Sequence, residues 1–227
     1  MVLIHEIGVR FPVRLQNFIS YIYNLKKYMS FVSRNKTTTK KFIEIKKPRL
    51  RATILREFSQ RFSPRFFSTK PISDKILNSI FEAARWAPSS YNYQPWVFYW
   101  ASRKSIAHKN IIACLPERNT WAETAPVLIV SCYAEENENS NTFTKYDLGL
   151  AVMSMIIQAQ SSGVYARQIG LFDKKKLQKL LRIPKKYTPF VVVALGKLGD
   201  YTKINEELLK RELNKRVRKN DSSKKIK

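Results

Sequence analysis

The chain is poor in glycine, cysteine, histidine and acidic residues, and each scarcity removes a class of function. Six glycines in 227 residues, none of them clustered, leave no loop able to wrap a phosphate in backbone amides. Neither G-x-G-x-x-G after a strand nor G-x-x-x-x-G-K-[ST] occurs, so the dinucleotide fingerprint and the P-loop are both absent. A phosphate, if one is bound, must be held by side chains. Cys114 and Cys132 are too few for a disulfide scaffold and lack metal-ligand spacing, and Cys132 sits in an apolar run that reads as core. His5 and His108 lie far apart, which disfavours a histidine metal centre or a triad, and G-x-S-x-G and H-E-x-x-H are missing. No metal site is expected. No apolar run approaches the ~18–20 residues of a membrane span. The chain therefore reads as soluble, reduced and cytoplasmic.

Acidic residues are outnumbered, 17 against 42 lysines and arginines, which gives a formal charge of +25. The excess per residue is greatest at the two ends, so it reads as tails and surface, not as one groove. Such charge attracts nucleic acid, anionic membranes and small anions without specificity, and no nucleic-acid motif accompanies it. With 44% apolar and 12% aromatic residues the chain has enough to bury a sizeable core.

Three segments are expected. Residues 1–53 read as a basic, poorly ordered extension, 54–211 as a single domain and 212–227 as a basic tail. For the extension three readings stand: an organellar presequence, which would move the protein out of the cytoplasm, a tail touching membrane or nucleic acid, or a start placed upstream of the true one at Met29.

Within the domain, Ile54–Gln60 predicts a short helix. Ser73 or Asp74 opens a second, whose Ile76, Leu77, Ile80, Phe81 and Ala84 share a face and which Pro88 stops. Val97–Trp100 predicts a strand, Ser105–Leu115 a helix, and Ala125–Tyr133 a buried strand. After a polar loop at Glu135–Asn141, Tyr146–Ser162 is the best helix in the chain. Leu148, Ala151, Val152, Met155 and Ala159 form its apolar stripe, small residues such as Gly149, Ala151 and Ser154 suit close packing, and Gly163 ends it. Asp173–Leu181 predicts a helix, Phe190–Leu195 a strand, and Asn205–Lys219 a helix with acids first and bases last. This order argues for an α+β fold.

Two polar loops flank the second helix. In Arg61-Phe62-Ser63-Pro64-Arg65, an extended backbone turns Arg61, Ser63 and Arg65 to one side, where guanidiniums and a hydroxyl suit a phosphate. Alone, so short a motif is matched by an ordinary solvated basic turn. Ala87-Pro88-Ser89-Ser90-Tyr91-Asn92-Tyr93-Gln94-Pro95-Trp96 is more specific, offering hydroxyls, amides and rings to a flat heteroaromatic ligand. Trp96 reads as core, Asp147 as a helix-start residue, and Asn119 as either a loop residue or a ligand contact.

Together these loops resemble the nitroreductase family of flavoproteins, which carries R-x-S-x-R and, one helix later, A-P-S-x-x-N-x-Q-P-W. Asn119-Thr120-Trp121 with Ala125–Val130, Tyr146-Asp147-x-Gly149-x-Ala151, Gly170-Leu171-Phe172-Asp173, and Val191–Gly196 followed by Lys210-Arg211 are similar to later family segments, in family order. The resemblance covers about Ile54 to Arg211. It implies a central, mainly antiparallel sheet flanked by helices, an intertwined homodimer, and FMN at the interface. By resemblance, Arg61, Ser63 and Arg65 hold the phosphate and ribityl chain, and Lys210 and Arg211 close on the phosphate. Pro88, Ser89, Ser90 and Asn92 lie along the ring from the partner subunit, and Gly170 and Leu171 present backbone groups to its reactive edge.

The implied activity is transfer of electrons from NAD(P)H through flavin N5 to a nitroaromatic, quinone or similar conjugated acceptor, by a ping-pong mechanism. No side chain is assigned as catalytic. The alternatives are a flavoprotein of the same fold acting on a non-nitro substrate, by dehalogenation, flavin breakdown or dehydrogenation, a family member that dimerises without FMN, or a basic surface-binding protein without redox activity. The chain departs from the family pattern in three places. Phe62 replaces a usual basic residue, Leu171 replaces the second glycine of Gly-Gly-Phe-Asp, and the C-terminal segment reads as more helical than an extended arm.

Overall fold

The computed structural model describes residues 38–134 and 143–219, and those from Thr39 onward belong to one compact unit. Its helices are α1 (Thr39–Ile45), α2 (Arg56–Gln60), α3 (Asp74–Arg85), α4 (Ile106–Ile112), α5 (Thr144–Ser161), α6 (Lys174–Leu180) and α7 (Glu206–Glu212). Its strands are β1 (Trp96–Ser102), β2 (Val127–Ala134), β3 (Tyr165–Ile169) and β4 (Tyr187–Gly196), paired antiparallel in the order β1-β2-β4-β3. The polar loop expected at Glu135–Asn141 and most of the expected extension lie outside the described residues.

The apolar runs of β2 and β4 are explained by burial on both faces of the sheet. Val127 and Ile129 of β2, with Val191, Val193 and Leu195 of β4, meet Leu77, Ile80 and Ala84 of α3 and the stripe Leu148, Ala151, Val152, Met155, Ala159 of α5. Leu128, Val130 and Cys132, with Val192 and Ala194, face the other way, onto Ile111 of α4, Leu177 of α6 and Trp121. Strand periodicity of two thus fills two cores at once. Gly163, at φ +68°, closes α5 in the left-handed conformation.

The strand β3 was not legible in the sequence. It is five residues long, sits on a sheet edge, and its Arg167-Gln168 pair breaks the apolar pattern. At the C-terminus, the helix expected over Asn205–Lys219 is confined to α7.

The packing begins before the expected domain boundary. The ring of Phe42 on α1 is fully buried, stacked on Tyr201 at 3.8 Å between centroids and edge-on to Phe62 at 5.6 Å. Thr39 Oγ1 donates to the Gly199 carbonyl. At the other end, Glu212 and Leu213 are buried and Arg216 Nη1 donates to the carbonyls of Lys46 and Ser59. Composition marked these segments as basic but did not reveal which single apolar residues they bury. Gly196 and Gly199 let the segment after β4 lie against residues 66–68. A Cβ on Gly196 would stand 2.7 Å from Pro126 Cδ, and one on Gly199 2.6 Å from Phe66 Cδ1.

Candidate functional site

The loop after α2 is extended at Arg61, and its burial alternates: Phe62 and Pro64 are buried, Ser63 is exposed, and Arg61 and Arg65 are half-buried. The outward set is the one the spacing predicts. The inward Phe62 joins Phe42, Tyr201 and Tyr165 in an aromatic cluster beneath the loop. Phe62 is therefore not a cation lost from an anion site but the apolar anchor that holds the loop down.

The two arginines nevertheless face different cavities. Arg61 lines the larger, about 1060 Å³, with Lys215, Arg216 and Arg218. Burial, then the neighbouring Arg218, lowers its pKa. The C-terminal bases that line this cavity with Arg61 are Lys215, Arg216 and Arg218, and neither Lys210 nor Arg211 is among them. Lys210 is exposed on α7 and lines neither cavity, because the short helix turns it to solvent.

The smaller cavity, about 270 Å³, is lined by Arg65, Arg118, Asn119, Arg167, Gly170, Leu171 and Arg211 among others. Arg65 is tied to a buried carboxylate. Its backbone N–H donates to Glu212 Oε2 at 3.0 Å, and its Nη1 donates to Glu212 Oε1 at 3.1 Å and to the Arg211 carbonyl at 3.2 Å. Tyr201 donates its hydroxyl to Glu212 Oε2 at 3.0 Å, and burial, then Glu212, raises the pKa of that phenol. Arg65 Nε is buried without a partner. Arg167 reaches in from β3, donates Nη1 to the Ser63 carbonyl and lies over the Trp121 ring at 5.4 Å. Burial, then Arg65, pulls its pKa down to about 10. Trp121 Nε1 donates to Asn119 Oδ1, which fixes that amide at the cavity wall.

Gly170 and Leu171 follow β3 at this cavity. Neither has a positive φ, so the backbone here does not demand glycine and Leu171 is accommodated without strain.

The second loop stands apart: Pro88, Ser89, Ser90 and Asn92 line neither cavity. Tyr91, Asn92 and Gln94 all adopt positive φ, at 48°, 58° and 50°. Such conformations cost ~1–3 kcal/mol each in non-glycine residues and persist where surroundings enforce them. Here Asp147, 2% exposed at the start of α5, accepts from the Ser90 N–H at 3.2 Å. Ser89 Oγ accepts from the Gln94 N–H, and Gln94 Nε2 donates to the Asn92 carbonyl. Tyr91 and Tyr93 are left exposed. Asp147 thus works as a loop anchor, consistent with its helix-start position.

Two charged residues lining the smaller cavity, and the carboxylate paired with Arg65 behind it, escaped sequence reasoning. Arg167 lies on the unread strand. Arg118 and Glu212 are single charges in a basic chain, with no pattern to separate them from surface. His108 is buried, donates its Nε2–H to the Ala125 carbonyl at 3.1 Å, and belongs to packing. Among the described residues no group of His, Cys, Asp or Glu is arranged to hold a metal, and no helix is long and apolar enough to cross a membrane.

Against known proteins, the model of the Nitroreductase family matches residues 58–117 and 113–197. A Methanothermobacter thermautotrophicus protein named "Putative NADH dehydrogenase/NAD(P)H nitroreductase" is 25% identical over 150 residues, 63% of this chain and 76% of its own length. A solved structure described as an oxidoreductase containing FMN superposes with a TM-score of 0.69 at 30% identity, covering 74% of this chain and 89% of the other. An FMN-dependent nitroreductase of Clostridium difficile superposes with a TM-score of 0.54 at 22% identity, covering 64% of this chain and 94% of the other.

Proposed function

Because this chain belongs to the nitroreductase family, we propose that it is a homodimeric FMN-dependent oxidoreductase that takes electrons from NAD(P)H. The residues present fit that cofactor. Guanidiniums crowd both cavities, one of them holding the orphaned Arg65 Nε, so the donor set suits a ligand rich in acceptor oxygens. Four steps of extended chain separate Arg61 from Arg65, about 13 Å. A molecule with a phosphate at one end and a flat, carbonyl-bearing ring at the other matches that separation.

Arg61, with Lys215, Arg216 and Arg218, would hold the phosphate, and Ser63 would face the chain between phosphate and ring. Gly170 and Leu171 would offer backbone groups to the ring, beside Arg65 and Arg211. Bound FMN would supply the redox chemistry between NAD(P)H and a nitroaromatic, quinone or similar acceptor, in a ping-pong sequence. The side chains lining the smaller cavity are guanidiniums, amides and apolar groups. None releases a proton at neutral pH, so protons reach the site from solvent.

The separation of the two loops supports a dimer. Pro88, Ser89, Ser90 and Asn92 are held in a strained, aromatic-tipped loop away from their own protomer's cavities, a conformation suited to reaching a partner's site.

The observation that carries the reading is the meeting of Arg65 with Gly170 and Leu171 in one cavity, from motifs far apart in the chain. Purified protein is expected to be yellow, to run as a dimer in light scattering, and to oxidise NAD(P)H when given a nitroaromatic, a quinone or a halogenated aromatic. A colourless protein that cannot be reconstituted with FMN would overturn it.

A further inference from the structure

The pattern R-x-S-x-R puts ligand binding on Arg65, yet Arg65 is committed inside the protein. Its Nη1 and backbone N–H are taken by Glu212, whose side chain is 2% exposed, so the charge of Arg65 is already balanced. Resting on the FMN reading, we infer that Arg167 of the edge strand β3 presents a positive charge free of any ion pair to the ring end of the cofactor.

Among the described residues Arg167 forms no ion pair within 4.0 Å, and the Ser63 carbonyl is the one protein acceptor recorded for it. A guanidinium has five N–H donors, all in its plane. Held over Trp121 and donating through Nη1 to Ser63, it has further donors left over for a ligand in the cavity. The bond to Ser63 fixes it at the middle of the Arg61–Arg65 bar, and β3 carries it three residues before Gly170. The same residue is thus held by the loop, the Trp121 turn and the strand leading to the ring-edge turn.

Its surroundings do not reward a charge there. Burial and the guanidiniums of Arg65 and Arg211 disfavour the charged form, and Glu212 offsets only part of this. A charge kept against such opposition, at the wall of a cavity, is the signature of a residue that serves a ligand at the expense of stability.

The test compares wild type, Arg167→Gln and Arg167→Lys as flavin-free protein, titrated with FMN and with riboflavin by fluorescence quenching. Arg167→Gln is expected to weaken both flavins about tenfold, by the same factor, since a charge-assisted contact to the ring is lost. Arg167→Lys should recover part of the loss. The melting temperature of flavin-free Arg167→Gln should equal or exceed that of wild type, while the shift produced by FMN shrinks. Unchanged FMN affinity in Arg167→Gln overturns the inference alone, as does a loss confined to FMN, which would assign the residue to the phosphate. A lower flavin-free melting temperature with an intact FMN shift also overturns it, since that marks a structural role. Wild type that binds neither flavin overturns the cofactor reading and this inference with it.

Discussion

Arg65 grips both oxygens of Glu212, one through its backbone N–H at 3.0 Å and the other through Nη1 at 3.1 Å, and so ties the loop after α2 to the end of α7. Glu212 is nearly inaccessible to water, and Arg65 is mostly so. Removing one partner leaves a buried charge without its counter-ion. Arg65→Ala is therefore expected to lower unfolding free energy by about 3–5 kcal/mol. Arg65→Met combined with Glu212→Leu should lose markedly less. Urea denaturation of the single and double variants checks this, and equal losses would contradict the pairing.

Phe62 supplies the complementary prediction. Placing a basic residue there, as the family pattern has it, would drive a charge into the cluster of Phe42, Tyr201 and Tyr165. Phe62→Arg should cost at least as much as Phe62→Ala, about 3–5 kcal/mol. It should not tighten flavin binding. A stable Phe62→Arg variant with improved FMN affinity would show that the side chain faces the ligand instead.

Asp147 holds the second loop through the Ser90 N–H. Asp147→Ala leaves that donor without its acceptor and should cost about 1–3 kcal/mol. Its local effect should be larger: faster hydrogen exchange across residues 89–94, and earlier chymotryptic cleavage at the exposed Tyr91 and Tyr93. Unaltered exchange in those residues would mean that the strained turn is held by other contacts.

His108 predicts an acid sensitivity. Burial, against the opposing bond to the Ala125 carbonyl, lowers its pKa below the ordinary 6.5. The unfolded chain then takes up a proton at a higher pH than the folded one. Stability from this group is present above about 6.5 and is lost as pH falls from there through the lower folded value. Chemical denaturation at pH 7.5 and 5.5 should show a loss in wild type that shrinks in His108→Gln. The same loss in both proteins would assign it to other groups.

The secondary structure was legible where the periodicity was strong. The apolar stripe of α5, the Ser73 start of α3 and the buried runs of β2 and β4 announce themselves because water exclusion writes them at regular spacing. The edge strand β3 has no such signal, because it is five residues long and its Arg167-Gln168 pair interrupts the apolar alternation. The two candidate loops were identified by their residue types, and burial bears out the in-out alternation of residues 61–65.

What the sequence determined by itself is therefore the fold class, the family and the two loops, because local spacing and motif order are properties of a linear chain. Tertiary structure alone decided the destination of each charge. It balanced Arg65 with Glu212, turned Phe62 inward, set Arg61 among residues 215–218 and brought Arg167 into one cavity with Gly170 and Leu171. In a chain carrying +25, every arginine looks alike until packing determines which one meets a carboxylate and which one meets a cavity.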